Sequence, residues 1–430
     1  MQESFLHYVW MFQKFEARAL KTTNGDSVTV SKVGFHNTGS GPDFLTSQLS
    51  IGGQLWAGNV EIHVKSLDWY VHQHENDANY DNVILHVVWE HDVEIFRNDN
   101  SCIPTVELKR LIASATLSNY RELFSKKHAW INCENDFSKV DDFQLKNWLD
   151  RLFIERLEQK SNLILKELHN FNNDWEGLLF RLLCKNFGMN INRDAFMSVA
   201  RSIDFSIVMK CSQRQFDLES LFMGQAGLLG SEIKEGYFLD LQKNYEYIKH
   251  KFKLRSHGVI PPKFFRLRPA NFPTIRLSQL ASLYAHKKQL FSEVIFDISL
   301  KDSGKIIDSL YSIFQVSASQ YWDTHYNFGL VSAKRKKVLT KKFIDVLLIN
   351  TIIPLQFCYA KQMGKDNTEA LLRLASAISS EENSIVAKFN RLKPIASNSL
   401  ESQALLQLKK EYCEKMRCLE CSIGNAILNR

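Results

Sequence analysis

The sequence predicts an α+β protein in which a mixed β-sheet domain comes first and a mainly α-helical part follows. Three observations carry this expectation. Strand-like runs rich in β-branched and alternating apolar residues crowd into the first 125 residues. Beyond residue 125, apolar residues recur every three or four positions almost to the end of the 430-residue chain. A single proline-rich stretch, residues 258–277, interrupts that helical pattern. The expected divisions are therefore an α+β domain over 1–125, a helical region over 126–257, and a second helical region over 258–430 that ends in a cysteine cluster.

The elements follow in order. Residues 2–18 read as a helix. Strands are expected at "SVTVSKVGF" (27–35), "FLTSQLSI" (44–51), "QLWAGNVEIHVK" (54–65) and "NVILHVVWE" (82–90). Gly52-Gly53 joins the middle two as a two-residue hairpin turn, because both central positions of the favoured turn take positive φ. A long helix covers 143–168, with Asp141 and Asp142 available to cap it. The stretch 258–277 is expected to run extended, since the residue before each proline is pushed out of the helical region. The most apolar run, 343–360, contains Asp345, Asn350, Pro354 and Gln356 and reads as a buried helix pair rather than a membrane anchor.

Composition narrows the function classes. With 45% hydrophobic and 23% charged residues, the chain has the make-up of a soluble globular protein. Glu3 stands where an export signal needs positive charge, so a cytoplasmic protein without membrane partners is expected. Eight cysteines without such a signal point to thiols or metal ligands rather than a disulfide framework. The net charge, 54 − 47 = +7, is mild, but it is concentrated. Lys334, Arg335, Lys336 and Lys337 form one basic run, and Arg266 and Arg268 lie in another that is interleaved with phenylalanines. Such runs suit phosphate contacts and base stacking, so nucleic acid is the expected partner; a solvated helix face is the alternative. No Walker loop, dinucleotide fingerprint or Gly-x-Ser-x-Gly elbow is present, which disfavours nucleotide-driven motors, Rossmann dehydrogenases and serine hydrolases.

The chemistry is expected in the hairpin. Side chains at i, i+2 and i+4 of a strand share a face, which puts Glu61, His63 and Lys65 together. Such a row is costly to bury unpaired, and a divalent metal with Asp43 as a further carboxylate would pair it. In an uninterrupted hairpin, however, Asp43 faces Ile62, so a bulge is needed, and Gly58 is the expected place for it. A competing site is offered by His63, His72, His74 and His86, which with Glu61 suit zinc or manganese better than magnesium. At the other end, Cys413, Cys418 and Cys421 make a zinc or iron–sulfur half-site that Cys133 would close, against the alternative of ordinary buried cysteines.

Asp43 after Pro42, Glu61 eighteen positions on and a lysine beyond it resemble the PD-(D/E)xK nuclease core. The resemblance implies a restriction-endonuclease-like fold with magnesium or manganese on Asp43 and Glu61, Lys65 near the attacking water, and a carboxylate, Glu3 or Glu16, from the preceding helix. His63 occupies the position where that pattern has lysine, and would be a ligand or a proton carrier. Over nearly the whole chain, "HNTGSGPDF", "GNVEIHVKSLDWYVHQH", "YDNVILHVVWEHD", "RPANFPTIRLSQLA" and "YCEKMRCLECSIGNAI" are similar to the bacterial domain-of-unknown-function family 2851, which brings no activity with it. The residues thus point first to a metal-dependent nuclease or phosphodiesterase. A non-catalytic nucleic-acid- or protein-binding scaffold and a His/Glu zinc hydrolase are the alternatives.

Overall fold

The computed structural model describes residues 1–125, 129–171, 173–295 and 302–430. The fold is mixed α+β, an N-terminal sheet followed by helices. It divides into two compact units, the first made of Met1–Leu145 together with Lys409–Arg430, the second of Lys146–Leu408.

The first unit opens with α1 (Glu3–Met11), which buries Phe5, Leu6, Tyr8, Val9 and Trp10 and carries Glu3 and His7 one turn apart. The helix is shorter than expected. Gln13 takes a left-handed conformation at φ 47°, and Lys14 N–H turns back to the Val9 carbonyl, a closing geometry that ends the helix. The sheet comprises β1 (Val28–Lys32), β2 (Phe35–His36), β3 (Phe44–Ile51), β4 (Gln54–Lys65), β5 (Val83–Glu90) and β6 (Thr105–Glu107). Gly34, at φ 96°, splits the expected run 27–35 into the first two strands. The order is β1-β3-β4-β5-β6 with β2 off β3. β1, β3 and β4 are antiparallel neighbours, whereas β5 runs parallel to β4 and β6 to β5. Connecting parallel strands requires a crossover, and here α2 (Asp68–Val71) and two short turns supply it. Trp69, Tyr80, Val83, Ile95 and Ile103 form a small core around that crossover.

The hairpin between β3 and β4 turns at Gly52-Gly53 with φ 58° and 85°, as the two-residue turn requires. A bulge is present, but not at Gly58. Pairing holds from Ile51↔Gln54 to Ser47↔Gly58 and then shifts to Phe44↔Val60, so the extra residue lies in β3. Thr46 absorbs it with φ 55°, its N–H donating to Asn59 Oδ1 at 3.2 Å. Gly58 is glycine for another reason: a Cβ there would sit 2.7 Å from the Asn82 carbonyl and overlap Ile84 of β5. The shifted register sets Asp43 opposite Glu61.

The second unit is helical. Its first helix is α4 (Asp142–His169), which begins in the first unit, after that unit's own α3 (Ser114–Ser125), with Asp141 Oδ1 accepting from Gln144 N–H at 3.0 Å, and continues into the second. Two expectations change here. The proline-rich stretch is not extended throughout: Arg266 turns at φ 63°, Pro269–Asn271 form a 3-10 turn, and Pro273 is the first residue of the buried helix Pro273–His286, a position where its missing N–H costs nothing. The apolar run is one continuous helix, Lys341–Gln362, and not a pair. A π-helical turn, Leu348–Ile352, accommodates Pro354 without breaking it. By length and composition this helix could cross a membrane, and 78% of its apolar window is buried inside the protein.

Candidate metal centre

β4 carries Glu61 and His63 to the same face, and both are buried, 5% and 1% exposed. Beneath them β5 places His86 beside Glu61 in the parallel register, fully buried. The crossover adds two more imidazoles. His72 ends α2 and His74 opens the next turn, with Gln73 between them at φ 61°. That kink folds both rings back over the strand. Trp69, 1% exposed, anchors the segment, and Tyr80 stacks on His74 at 3.8 Å between ring centroids. From the other side, α1 directs His7 at Asp43, with Nε2 3.2 Å from Oδ2.

The donor atoms converge. Glu61 Oε1 lies 3.5 Å from His63 Nε2 and 3.4 Å from His74 Nε2, and His63 Nε2 lies 3.1 Å from His72 Nδ1. The ligand atoms of His63, His72 and His74 all fall within 4.8 Å of one another. A tetrahedral ion with bonds of about 2.0–2.1 Å has donor–donor edges of about 3.4 Å, so these separations are compatible with ligands of a single ion. The second oxygen of Glu61 accepts from Asp43 N–H at 3.1 Å, and Asp43 Oδ2 accepts from Ile62 N–H at 2.9 Å. This reciprocal pair locks the two strands where the carboxylates meet.

Electrostatics shows what the cluster lacks. Burial, then the neighbouring Asp43, pushes the Glu61 carboxyl up to about 9. Burial, then His74 and His72, drives His63 down to about 3; burial also lowers His74 and holds His86 well below the usual imidazole range. The Glu61–imidazole contacts have ion-pair lengths, 3.5 and 3.4 Å, while burial disfavours the charged form of each partner. For His7, burial opposes the charge, and Asp43 beside it more than compensates, so its value is raised. Glu3 is raised by burial and then by Asp43, which places it within reach of the same field. A bound cation would favour the ionised form of the Glu61 carboxyl against the burial that disfavours it. The donor set fits a borderline ion such as zinc or manganese better than magnesium, which prefers oxygen alone.

His86 Nε2 lies 2.8 Å from His63 Nδ1, behind the cluster, and His86 Nδ1 is a buried polar atom without a hydrogen-bond partner. A ring that fixes a ligand's orientation and tautomer takes this position. Lys65 stands apart: its side chain is 56% exposed, and Nζ is 3.9 Å from Asp92 Oδ2. Glu16 is exposed beyond the end of α1. Lys334, Arg335, Lys336, Arg266 and Arg268 are exposed in the second unit. Lys337 is buried, donating to the Asp323 carbonyl at 2.9 Å and lying 4.1 Å over the Tyr326 ring. His7 was missed from sequence. Its only signal is a histidine four residues after Glu3 on an otherwise apolar helix.

Fold and cluster together define an α+β protein whose N-terminal mixed sheet carries a buried histidine and carboxylate cluster. The chain belongs to the family described as "Protein of unknown function (DUF2851)", which matches residues 3–384. No curated protein and no solved structure matches it.

Proposed function

We propose that the first unit is a metal-dependent phosphodiesterase or nuclease with a nuclease-like core, its ion held by Glu61, His63, His72 and His74 with Asp43 alongside. The observation that carries this reading is the set of 3.1–3.5 Å separations among Glu61 Oε1 and the imidazole nitrogens. Asp43 and Glu61 on adjoining strands, with Glu3 on the preceding helix, support the PD-(D/E)xK comparison. The donor set departs from that comparison, because imidazoles stand where an all-oxygen shell and a lysine would be.

When bound, the ion would supply an acidified water and neutralise phosphate charge. The chain's own residues do the rest. His86 holds the His63 ring through Nδ1, leaving Nε2 to face the cluster. His72 is exposed and marks the side on which substrate would enter. His7, paired with Asp43, is the group that can hold or release a proton at the rim. Exposed cations such as Lys334, Arg335 and Lys336 are proposed as phosphate contacts for DNA or RNA.

The test incubates the protein and Glu61→Ala with labelled single- and double-stranded DNA and RNA in manganese, zinc, magnesium or chelator. Cleavage by the parent alone, abolished by chelator, is expected. Metal binding without cleavage of nucleic acid or of a generic phosphodiester would overturn the hydrolase and leave a metal-holding scaffold.

A further inference from the structure

The C-terminal segment returns to the first unit and packs against residues 129–145. Three contacts fix it there. Lys409 Nζ lies 5.5 Å over the Trp130 ring, Gln144 Nε2 donates to the Ser422 carbonyl and hydroxyl at 3.2 and 3.1 Å, and Arg430 pairs with Asp136 at 3.3 Å. The closing helix, Ser422–Leu428, lies directly on the turn Cys418–Glu420: a Cβ at Gly424 would overlap the Cys418 carbonyl.

Four cysteines lie in this packing. Cys413 ends a π-helical turn, Cys418 and Cys421 flank the next one, and Cys133 comes from the facing segment. Each is a thiol rather than half of a disulfide. All six pairings among the four are close enough for one thiolate to disfavour another. Burial, and then these neighbours, raise the thiols, Cys418 to about 11 and Cys133 and Cys413 further.

We propose that Cys133, Cys413, Cys418 and Cys421 form a tetrathiolate site for a metal centre, an iron–sulfur cluster or a single zinc, that staples the C-terminus to the first unit. The spacing Cys-x4-Cys-x2-Cys with a distant fourth cysteine is used by iron–sulfur proteins, and a four-cysteine shell is equally a structural zinc site. A bound metal would take the place of the thiol protons, and Lys409 would offset part of the negative charge of the ligated sulfurs. The staple bears on the other site through α1: Tyr8 OH reaches Asn429 Oδ1 at 3.5 Å, so the segment it secures backs the helix that presents His7. The staple is independent of the nuclease reading.

The test is metal and acid-labile sulfide analysis of the full chain purified without oxygen, followed by cobalt loading of the metal-free protein. Iron with matching sulfide identifies a cluster, and zinc with a thiolate-to-cobalt charge-transfer band identifies a zinc site. Cys133→Ser should lose that signal completely, while Cys102→Ser keeps it. Should Cys133→Ser fail to fold, the spectrum of the unmodified chain decides. No sulfur-ligated metal in the parent, or full retention in a folded Cys133→Ser, overturns the proposal.

Discussion

Glu61→Gln separates a metal ligand from a structural ion-pair partner, because the two roles predict opposite effects on the metal-free protein. Glutamine copies the shape of the protonated acid and keeps an oxygen for Asp43 N–H. An acid at about 9 in the fold and 4.5 in an unfolded chain binds its proton more tightly when folded, so stability falls as pH rises from about 4.5 to about 9. At about 1.4 kcal/mol per pH unit, the metal-free fold has lost about 3 kcal/mol at pH 7 and about that much again by pH 9. His63, driven down to about 3, acts in the opposite sense but only below its ordinary value of 6.5; His7 and Lys160 also titrate between 6.5 and 9, but parent and variant share them, so the difference between the two proteins in that window isolates Glu61. The variant should therefore melt higher than the parent in chelator at pH 7, by a margin that widens as pH rises to about 9. Added zinc or manganese at a hundred times its dissociation constant should stabilise the parent by about 2.7 kcal/mol and leave the variant unmoved. Melting of both proteins by circular dichroism across pH, with and without metal, reads both effects. A metal-free variant that melts lower than the parent at pH 7, and that gains as much from metal, would refute the reasoning and make Glu61 an ion partner of protonated imidazoles.

Four other perturbations have defined outcomes. Lys65→Ala should change metal affinity and cleavage by less than about twofold and stability by less than about 1 kcal/mol, as for any exposed pair; a hundredfold loss of cleavage would return the lysine to the reaction. His86→Phe should weaken metal binding about 10- to 100-fold by calorimetry, since it removes the partner of His63 Nδ1, and unchanged affinity would deny it that role. Gly58→Ala should lower stability by about 1–3 kcal/mol in thermal melts, because β5 leaves no room for a methyl group; a neutral result would mean that β4 and β5 can part there. Lys160, pushed down to about 7 by burial and then Arg156, should make stability rise with pH from about 7 to 10.5, and urea titrations of Lys160→Met should show that rise removed.

Local rules made much of the first unit legible. Alternation marked β3 and β4, a continuous apolar run marked β5, and Gly52-Gly53 marked the hairpin between the first two, because those signals need only a few neighbouring residues. What failed depended on other strands. Gly58 carried the letter of a bulge, but its lack of a side chain serves the approach of Ile84 and Asn82, which no reading of β4 alone contains. Lys65 obeyed alternation with Glu61 and His63, yet β4 ends there and its long side chain turns to Asp92 in solvent. The apolar helix hid its π turn for a similar reason: a proline normally breaks a helix, and only the surrounding packing holds this one continuous.

The candidate centre shows the same division between letters and geometry. His63, His72, His74 and His86 were visible as a group within 24 positions, but their spacing matches no regular motif. Their convergence depends on a left-handed Gln73 and on Trp69 sinking into the crossover core, neither of which has a sequence signature of its own. The Asp43–Glu61 meeting depends on the displaced bulge, since in the unbulged register Asp43 would lie opposite Ile62. One extra residue, taken up at Thr46 and tied by Asn59, brings the carboxylates into register. The centre is therefore as sensitive to Thr46 and Asn59, which supply none of its donors, as to its own ligands. A change that irons out the bulge would part Asp43 from Glu61 while leaving every imidazole in place.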